Sequence, residues 1–159
     1  MSDKSWSSNV PLNDKNSFKH WTAVTIRFSD QDPLGHVNNV AYAAYVEASR
    51  TMFVGNLMDL NSEEDIDFIL VNVKIDYLKE IRYPGTVQVG GRAIRLGKKS
   101  FTTGFGVFLN DECVATSEST NVFFSLKSRK TIIIPDKVRT LLTNDPMLEN
   151  KTKEYNRGY

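Results

Sequence analysis

The chain has 159 residues, with 20 basic against 19 acidic side chains, 40% hydrophobic and 25% charged, a length and composition that fit one globular domain. No apolar run reaches the ~18 residues of a membrane span, and residues 1–18 contain no apolar stretch that could serve as a signal peptide. One cysteine, Cys113, excludes an intramolecular disulfide and a multi-cysteine metal site and fits a reducing cytoplasm, while a net charge of +1 excludes a dedicated nucleic-acid binder.

Residues 1–18 are rich in Ser, Asn, Asp and Lys, which predicts a flexible arm ahead of a domain over 19–142. Residues 20–29 read as a strand, with Thr22, Val24, Ile26 and Phe28 alternating against Thr25, Arg27 and Ser29. A polar loop with Pro33 and Gly35 follows. Residues 39–54 then read as a helix capped by Asn38 or Asn39 and ended by Gly55, with Ala41, Ala43, Ala44 and Ala48 letting it sit close to a sheet.

Beyond the helix the hydrophobic period changes from 3.6 to 2. Strands are predicted over 68–78, 86–96, 100–109 and 113–126, with turns at Tyr83-Pro84-Gly85, Gly97-Lys98 and Asn110-Asp111-Glu112. Gly90-Gly91 marks a bulge or a close backbone approach. A short helix over 135–142 closes the domain, and 143–159 is a polar tail. Four consecutive strands joined by turns predict an antiparallel meander. The whole is an α+β fold, one helix against a five-stranded sheet, with uncovered edges that favour self-association.

Charge is distributed unevenly. Asp59, Glu63, Glu64, Asp65 and Asp67 form an acidic run. Arg92, Arg95, Lys98 and Lys99 form a basic one, and Lys127, Arg129, Lys130, Lys137 and Arg139 a second. They are either solvated turns or surfaces that converge on a phosphate-bearing ligand.

The densest chemistry lies in the loop before the helix, S-D-Q-D-P-L-G-H-V-N-N over 29–39. Pro33 and Gly35 shape the backbone and can hold Asp32 in one pose. A helix N-terminus offers unpaired N–H donors and partial positive charge to a developing oxyanion. A carboxylate just upstream can act on the same carbonyl as nucleophile or general base. Acyl transfer or hydrolysis needs both groups, although acidic loops before helices also serve simply as caps.

Asp32-Pro33-Leu34-Gly35-His36-Val37-Asn38-Asn39, with Tyr42 and Glu47-Ala48-Ser49-Arg50, resembles the acyl-CoA thioesterases of the hotdog fold, in particular the 4-hydroxybenzoyl-CoA thioesterase-like group. Leu96-Gly97-Lys98-Lys99-Ser100-Phe101 and Ile134-Pro135-Asp136-Lys137-Val138-Arg139 extend the likeness to residues 21–142. The resemblance implies a long central helix wrapped by a curled antiparallel sheet, a homodimer or homotetramer with sites at the subunit interface, and thioester hydrolysis without metal or other cofactor. It makes Asp32 the catalytic carboxylate and the Asn39 N–H the donor to the carbonyl oxygen, with Asp30 supporting the loop.

His36 is either a catalytic contributor or a loop anchor. Asn38 and Tyr42 would contact substrate or pack locally, as would Tyr45. Glu47 and Arg50 can pair on one helix face, and Glu47 is an outside catalytic candidate. Arg92, Lys98, Lys99 and Ser100, with Lys127 and Arg129, are the candidates for coenzyme A phosphates. An acyl-carrier protein as the thioester carrier, and a non-catalytic acyl-binding protein, are the competing readings.

Overall fold

The computed structural model describes residues 6–7, 9–58 and 65–143; the tail expected from 144 onward and the acids Asp59, Glu63 and Glu64 lie outside them. In chain order the elements are β1 (Trp6–Ser7), β2 (His20–Thr25), α1 (Asn39–Met58), β3 (Ile66–Tyr77), β4 (Thr86–Leu96), β5 (Ser100–Leu109), β6 (Glu112–Ser125), β7 (Lys130–Thr131) and α2 (Asp136–Thr143). The strands form one antiparallel sheet, and α1 packs on its inner face, chiefly over β4, β2 and β5. The α+β class and the single long helix are as expected.

The strand order is not that of a simple meander. β4, β5 and β6 are joined in sequence, but β3 pairs with β6 rather than β4 and forms the far edge. Residues 78–85 are too long for a hairpin loop of about 2–5 residues. They travel between opposite sides of the sheet instead. Leu78 and Lys79 donate to the Val114 carbonyl, Val37 donates to that of Ile81, and the Ile81 side chain is buried. The two short strands β1 and β7, absent from the sequence reading, bring the sheet to seven.

Three local expectations also change. β2 stops at Thr25, and a 3-10 turn over Phe28–Asp30 leaves Phe28 74% exposed against Tyr83 instead of inward. α1 continues through Gly55 to Met58, since an interior glycine costs a helix only about 1 kcal/mol. Of the four alanines, Ala41 alone is buried. The inward face is carried by Tyr42, Tyr45, Val46, Ser49, Phe53 and Val54 at helical spacing.

Two apolar clusters fill the space between helix and sheet. One gathers Ile26, Tyr42, Tyr45, Val46, Val89, Phe105 and Val107, among others. The other joins Phe53, Val54, Phe101 and Phe123 to Val138 and Leu142 of α2. Between them the inner face turns polar, with Ser49, Thr103, Ser117, Ser119 and Asn121 all buried.

Part of the segment expected as a flexible arm lies on the outer face of the sheet. Ser17 and Phe18 are buried. Glycines make the room: a Cβ at Gly90 would come within 2.5 Å of the Phe18 ring, and one at Gly104 within 2.6 Å of Leu12. The Gly90-Gly91 signal therefore marks a close approach. The bulge in β4 falls later, between Ala93 and Arg95.

Candidate active site

The loop between β2 and α1 is built from its own backbone. Asp32 and Val37 flank a tight reversal in which the Asp32 N–H donates to the His36 carbonyl (2.7 Å) and Gly35 N–H to the Asp32 carbonyl (3.0 Å). Gly35 adopts φ +80°, a conformation natural to glycine and strained for other residues. Inside this reversal Asp32 Oδ1 accepts from the N–H groups of Leu34 (2.9 Å) and His36 (3.1 Å). No described residue donates to Oδ2. One oxygen thus fixes the carboxylate and the other is left for chemistry.

Asp30 anchors the loop. Its buried carboxylate accepts from Tyr45 Oη (2.6 Å), from Arg27 N (2.9 Å) and from Arg27 Nε (3.0 Å), and its carbonyl accepts from Asn38 N (2.8 Å). Burial alone would push this carboxyl up. The hydrogen bonds from Tyr45 and Arg27, with the Arg27 charge, outweigh it and hold Asp30 below its ordinary value. Burial, and then the bond to Asp30, push the Tyr45 phenol well above its own.

Asn38 is the helix cap, its Oδ1 accepting from Ala41 N at 2.8 Å. The Asn39 N–H, at the first residue of α1, has no intrahelical acceptor. It borders a cleft of about 260 Å³ together with Asp32, His36, Tyr42, Tyr77 and Leu78. Tyr42 Oη donates to the Lys79 carbonyl (2.9 Å), Tyr77 Oη to that of Asn39 (3.4 Å), and the two rings meet edge to face at 5.3 Å. The cleft therefore combines a fixed carboxylate, helix-start donors and an apolar aromatic wall.

His36 is tied away from this pairing. Arg82 Nη2 lies 2.6 Å from its Nε2 and Glu80 Oε2 3.1 Å from its Nδ1. A guanidinium only donates, so Nε2 accepts and the ring proton is on Nδ1, facing Glu80. Tyr77, Glu80 and Arg82 were missed by the sequence reading. Tyr77 ends β3, and Glu80 and Arg82 lie in the connection from β3 to β4, which no local spacing relates to the loop. Glu47 and Arg50 pair at 3.6 Å, but Glu47 is exposed and does not line the cleft.

The basic candidates divide. Arg92 cannot meet a phosphate at the surface: it is 2% exposed, on the outer face, and its Nη1 donates to the Ser17 carbonyl at 2.9 Å. Its place in the strand alternation and the cover supplied by residues 11–18 were not visible in a basic run. Lys98 and Lys99 are exposed in the β4–β5 turn, and Ser100, the first residue of β5, is half-buried. The second basic run joins them there, with Arg139 Nη2 donating to the Gly97 carbonyl (2.7 Å) and Ile134 N to that of Lys98 (3.0 Å). Asp65 enters the same end, accepting from Lys127 N and Ser125 Oγ. This end is not beside Asp32. β4 runs Thr86–Leu96 between them, roughly 30 Å at 3.3 Å per residue.

Among the described residues no three His, Cys, Asp or Glu side chains gather as a metal site requires, and no helix is long and apolar enough to cross a membrane.

A family model described as the thioesterase-like superfamily matches residues 26–142. The PA5185 protein of Pseudomonas aeruginosa is 26% identical with a TM-score of 0.71, over 84% of this chain and 95% of that one. A thioesterase from Thermus thermophilus, solved with coenzyme A and zinc, is 30% identical with a TM-score of 0.69, over 79% and 98%. The Bacillus subtilis protein YsmA is 26% identical over 129 residues, 80% of this chain and 88% of the relative.

Proposed function

The chain belongs to the thioesterase-like superfamily and has its hotdog fold, and from that premise we propose that it hydrolyses an acyl-CoA thioester with Asp32 as the catalytic carboxylate. The carrying observation is the division of labour within that carboxylate, Oδ1 held by two loop N–H groups and Oδ2 without a described donor, in the cleft that also holds the start of α1. A thioester carbonyl placed there points its oxygen at the Asn39 N–H, where the helix terminus stabilises the charge that develops. Asp32 either takes a proton from the water that attacks the carbonyl carbon, or attacks that carbon itself to give a mixed anhydride that water then hydrolyses, regenerating the carboxylate. The carbon–sulfur bond breaks, the thiolate of coenzyme A leaves and is protonated, and a carboxylic acid remains.

In this reading Asn38 caps the helix rather than reacting, Tyr42 packs the cleft wall, and His36 braces the loop through Glu80 and Arg82. Lys98, Lys99 and Ser100 serve the nucleotide of a substrate bound across two subunits. Among the described residues β3 is a long free edge whose Tyr77 end lies at the cleft and whose Ile66 end pairs with Ser125, beside the basic end. Antiparallel pairing of two such edges brings the basic turn of a second copy toward the Asp32 cleft of the first, closing the 30 Å gap. The Thermus thermophilus relative, solved with coenzyme A, supports the choice of carrier. The same basic end would also meet an acidic carrier protein.

The test is a panel of short-chain, long-chain and aromatic acyl-CoAs assayed by thiol release, with acyl-carrier thioesters in parallel, on wild type and Asp32→Asn. Turnover of at least one thioester that collapses in the variant is expected. Near-wild-type turnover by Asp32→Asn would overturn the assignment. Lys98→Ala with Lys99→Ala should raise KM several-fold for acyl-CoA but not for a short thioester lacking the nucleotide, since single surface charges contribute little.

A further inference from the structure

The polar band of the inner sheet face contains groups the fold does not use. Ser117 Oγ, Ser119 Oγ and Asn121 Oδ1 are buried and have no hydrogen-bond partner among the described residues, whereas buried polar atoms are nearly always paired. All three share the face of Ala115 and Phe123 on β6, toward the helix. Their register partners on β3 are Ile75, Val73 and Leu70, apolar residues of which Val73 stays 45% and Leu70 39% exposed. Closed core thus gives way to open apolar surface between β6 and β3, and the unpartnered row stands along that boundary. The open track begins at Tyr77, in the wall of the Asp32 cleft.

We infer that the Tyr77-to-Leu70 track of β3 carries the acyl chain and that Ser117, Ser119 and Asn121 form a subsite for a hydroxyl on that chain, making hydroxylated aliphatic acyl thioesters the preferred substrates. The inference rests on the thioesterase reading. Ser117 and Ser119 lie two and four residues along the register from Tyr77, roughly 7 and 13 Å, so the hydroxyl sits well away from the thioester, in the middle or at the end of the chain.

The chemistry of the row selects the group. The Ser119 carbonyl already receives Thr103 Oγ1 (3.3 Å) and Asn121 Nδ2 (3.5 Å), which leaves Asn121 Oδ1 needing a donor. A hydroxyl both donates and accepts, while a keto or ether oxygen only accepts. A carboxylate would require a cation, and Arg50, the buried cation of α1, is paired with Glu47.

The experiment compares kcat/KM for dodecanoyl-CoA and for its ω-hydroxy and mid-chain hydroxy derivatives, in wild type and in Ser119→Ala with Asn121→Leu. A site built to bind a hydroxyl discriminates against its absence, so at least one hydroxylated substrate should be preferred about tenfold. That ratio should fall toward one in the double variant, whose Tm should drop little, because the only bond removed is the long one from Asn121 Nδ2 to the Ser119 carbonyl (3.5 Å). Ser117→Ala provides a milder variant of the same test should the double variant fold poorly. Equal or faster turnover of dodecanoyl-CoA in wild type, or a ratio unchanged in the variants, would overturn the subsite and leave the thioesterase reading intact. Absence of turnover with every thioester would sink the thioesterase reading instead. The row is then decided by thermal shift of the wild-type protein with hydroxylated against plain dodecanoic acid, where a larger shift with the hydroxylated acid supports it and equal or absent shifts overturn it.

Discussion

Asp30 and Asp32 stand two residues apart in one loop, and the fold treats them in opposite ways. Asp30 is buried and receives side-chain donors from Arg27 and from Tyr45 in α1, so its charge joins the loop to the helix. Among the described residues Asp32 receives only backbone donors from the next four residues, all through one oxygen, and it faces a cleft. A carboxylate with every lone pair engaged holds structure and is a poor reagent. One fixed by half of its lone pairs is oriented and still reactive. The difference teaches that the accounting of lone pairs, rather than the presence of an acid, separates support from chemistry in this loop.

The contrast can be broken from either side. The largest expected effect is that of Asp32→Asn, which keeps an acceptor for Leu34 and His36 but loses the charge. Turnover should fall by about 10²–10⁴ while the thermal midpoint stays near that of wild type, a split read by thiol-release kinetics and calorimetry on one preparation. Asp30→Asn should do the reverse. Denaturant unfolding should show a loss of about 1.5–3 kcal/mol, the scale of hydrogen bonds to a charged group, with activity falling only as far as the loop loosens. Tyr45→Phe removes one donor and keeps the ring, so a smaller loss of about 1 kcal/mol is expected; a loss as large as that of Asp30→Asn would mean the phenol, not Arg27, dominates the anchor.

The smallest effect is on pH dependence. Asp30 titrates below its ordinary 3.8 in the folded chain, so the folded state holds fewer protons there than the unfolded one. Its stabilisation is complete above that value and is lost as pH falls from it through the lower folded value. Acid unfolding curves should therefore be less steep below 3.8 for Asp30→Asn than for wild type.

Much of this was legible in the chain itself. β4 and β5 occupy the predicted 86–96 and 100–109, because apolar alternation in the sequence, bounded by turns, leaves little choice of register. The Asn110-Asp111 turn follows for the same reason, both residues taking positive φ as a two-residue hairpin demands. The D-P-L-G-H-V-N-N loop located the cleft.

What could not be read depended on distant partners. Nothing near residues 78–85 says that the chain is returning from the far edge, so β3 was placed beside β4 and the His36–Glu80–Arg82 contacts went unseen. Arg92 read as a surface base because local sequence does not reveal that Ser17 and Phe18 cover it. The strand predicted over 113–126 carried no assignment of its serines to a face, and it is the register with β5 and β3 that puts Ser117 and Ser119 on the helix side.

The glycine floor under Phe18 and Leu12 bears on where the chain can be cut. The family match begins at residue 26, immediately after β2, and a fragment made to that boundary would lose β2, Phe18 and Leu12 together. It would bare Gly90, Gly104 and Gly106, positions with no side chain to shield the backbone on a broad outer face, and would leave Arg92 without the Ser17 carbonyl. The smallest autonomous unit accordingly begins ahead of Pro11, whose carbonyl receives Ser17 Oγ, and the limits of family likeness and of physical integrity are different places in this chain.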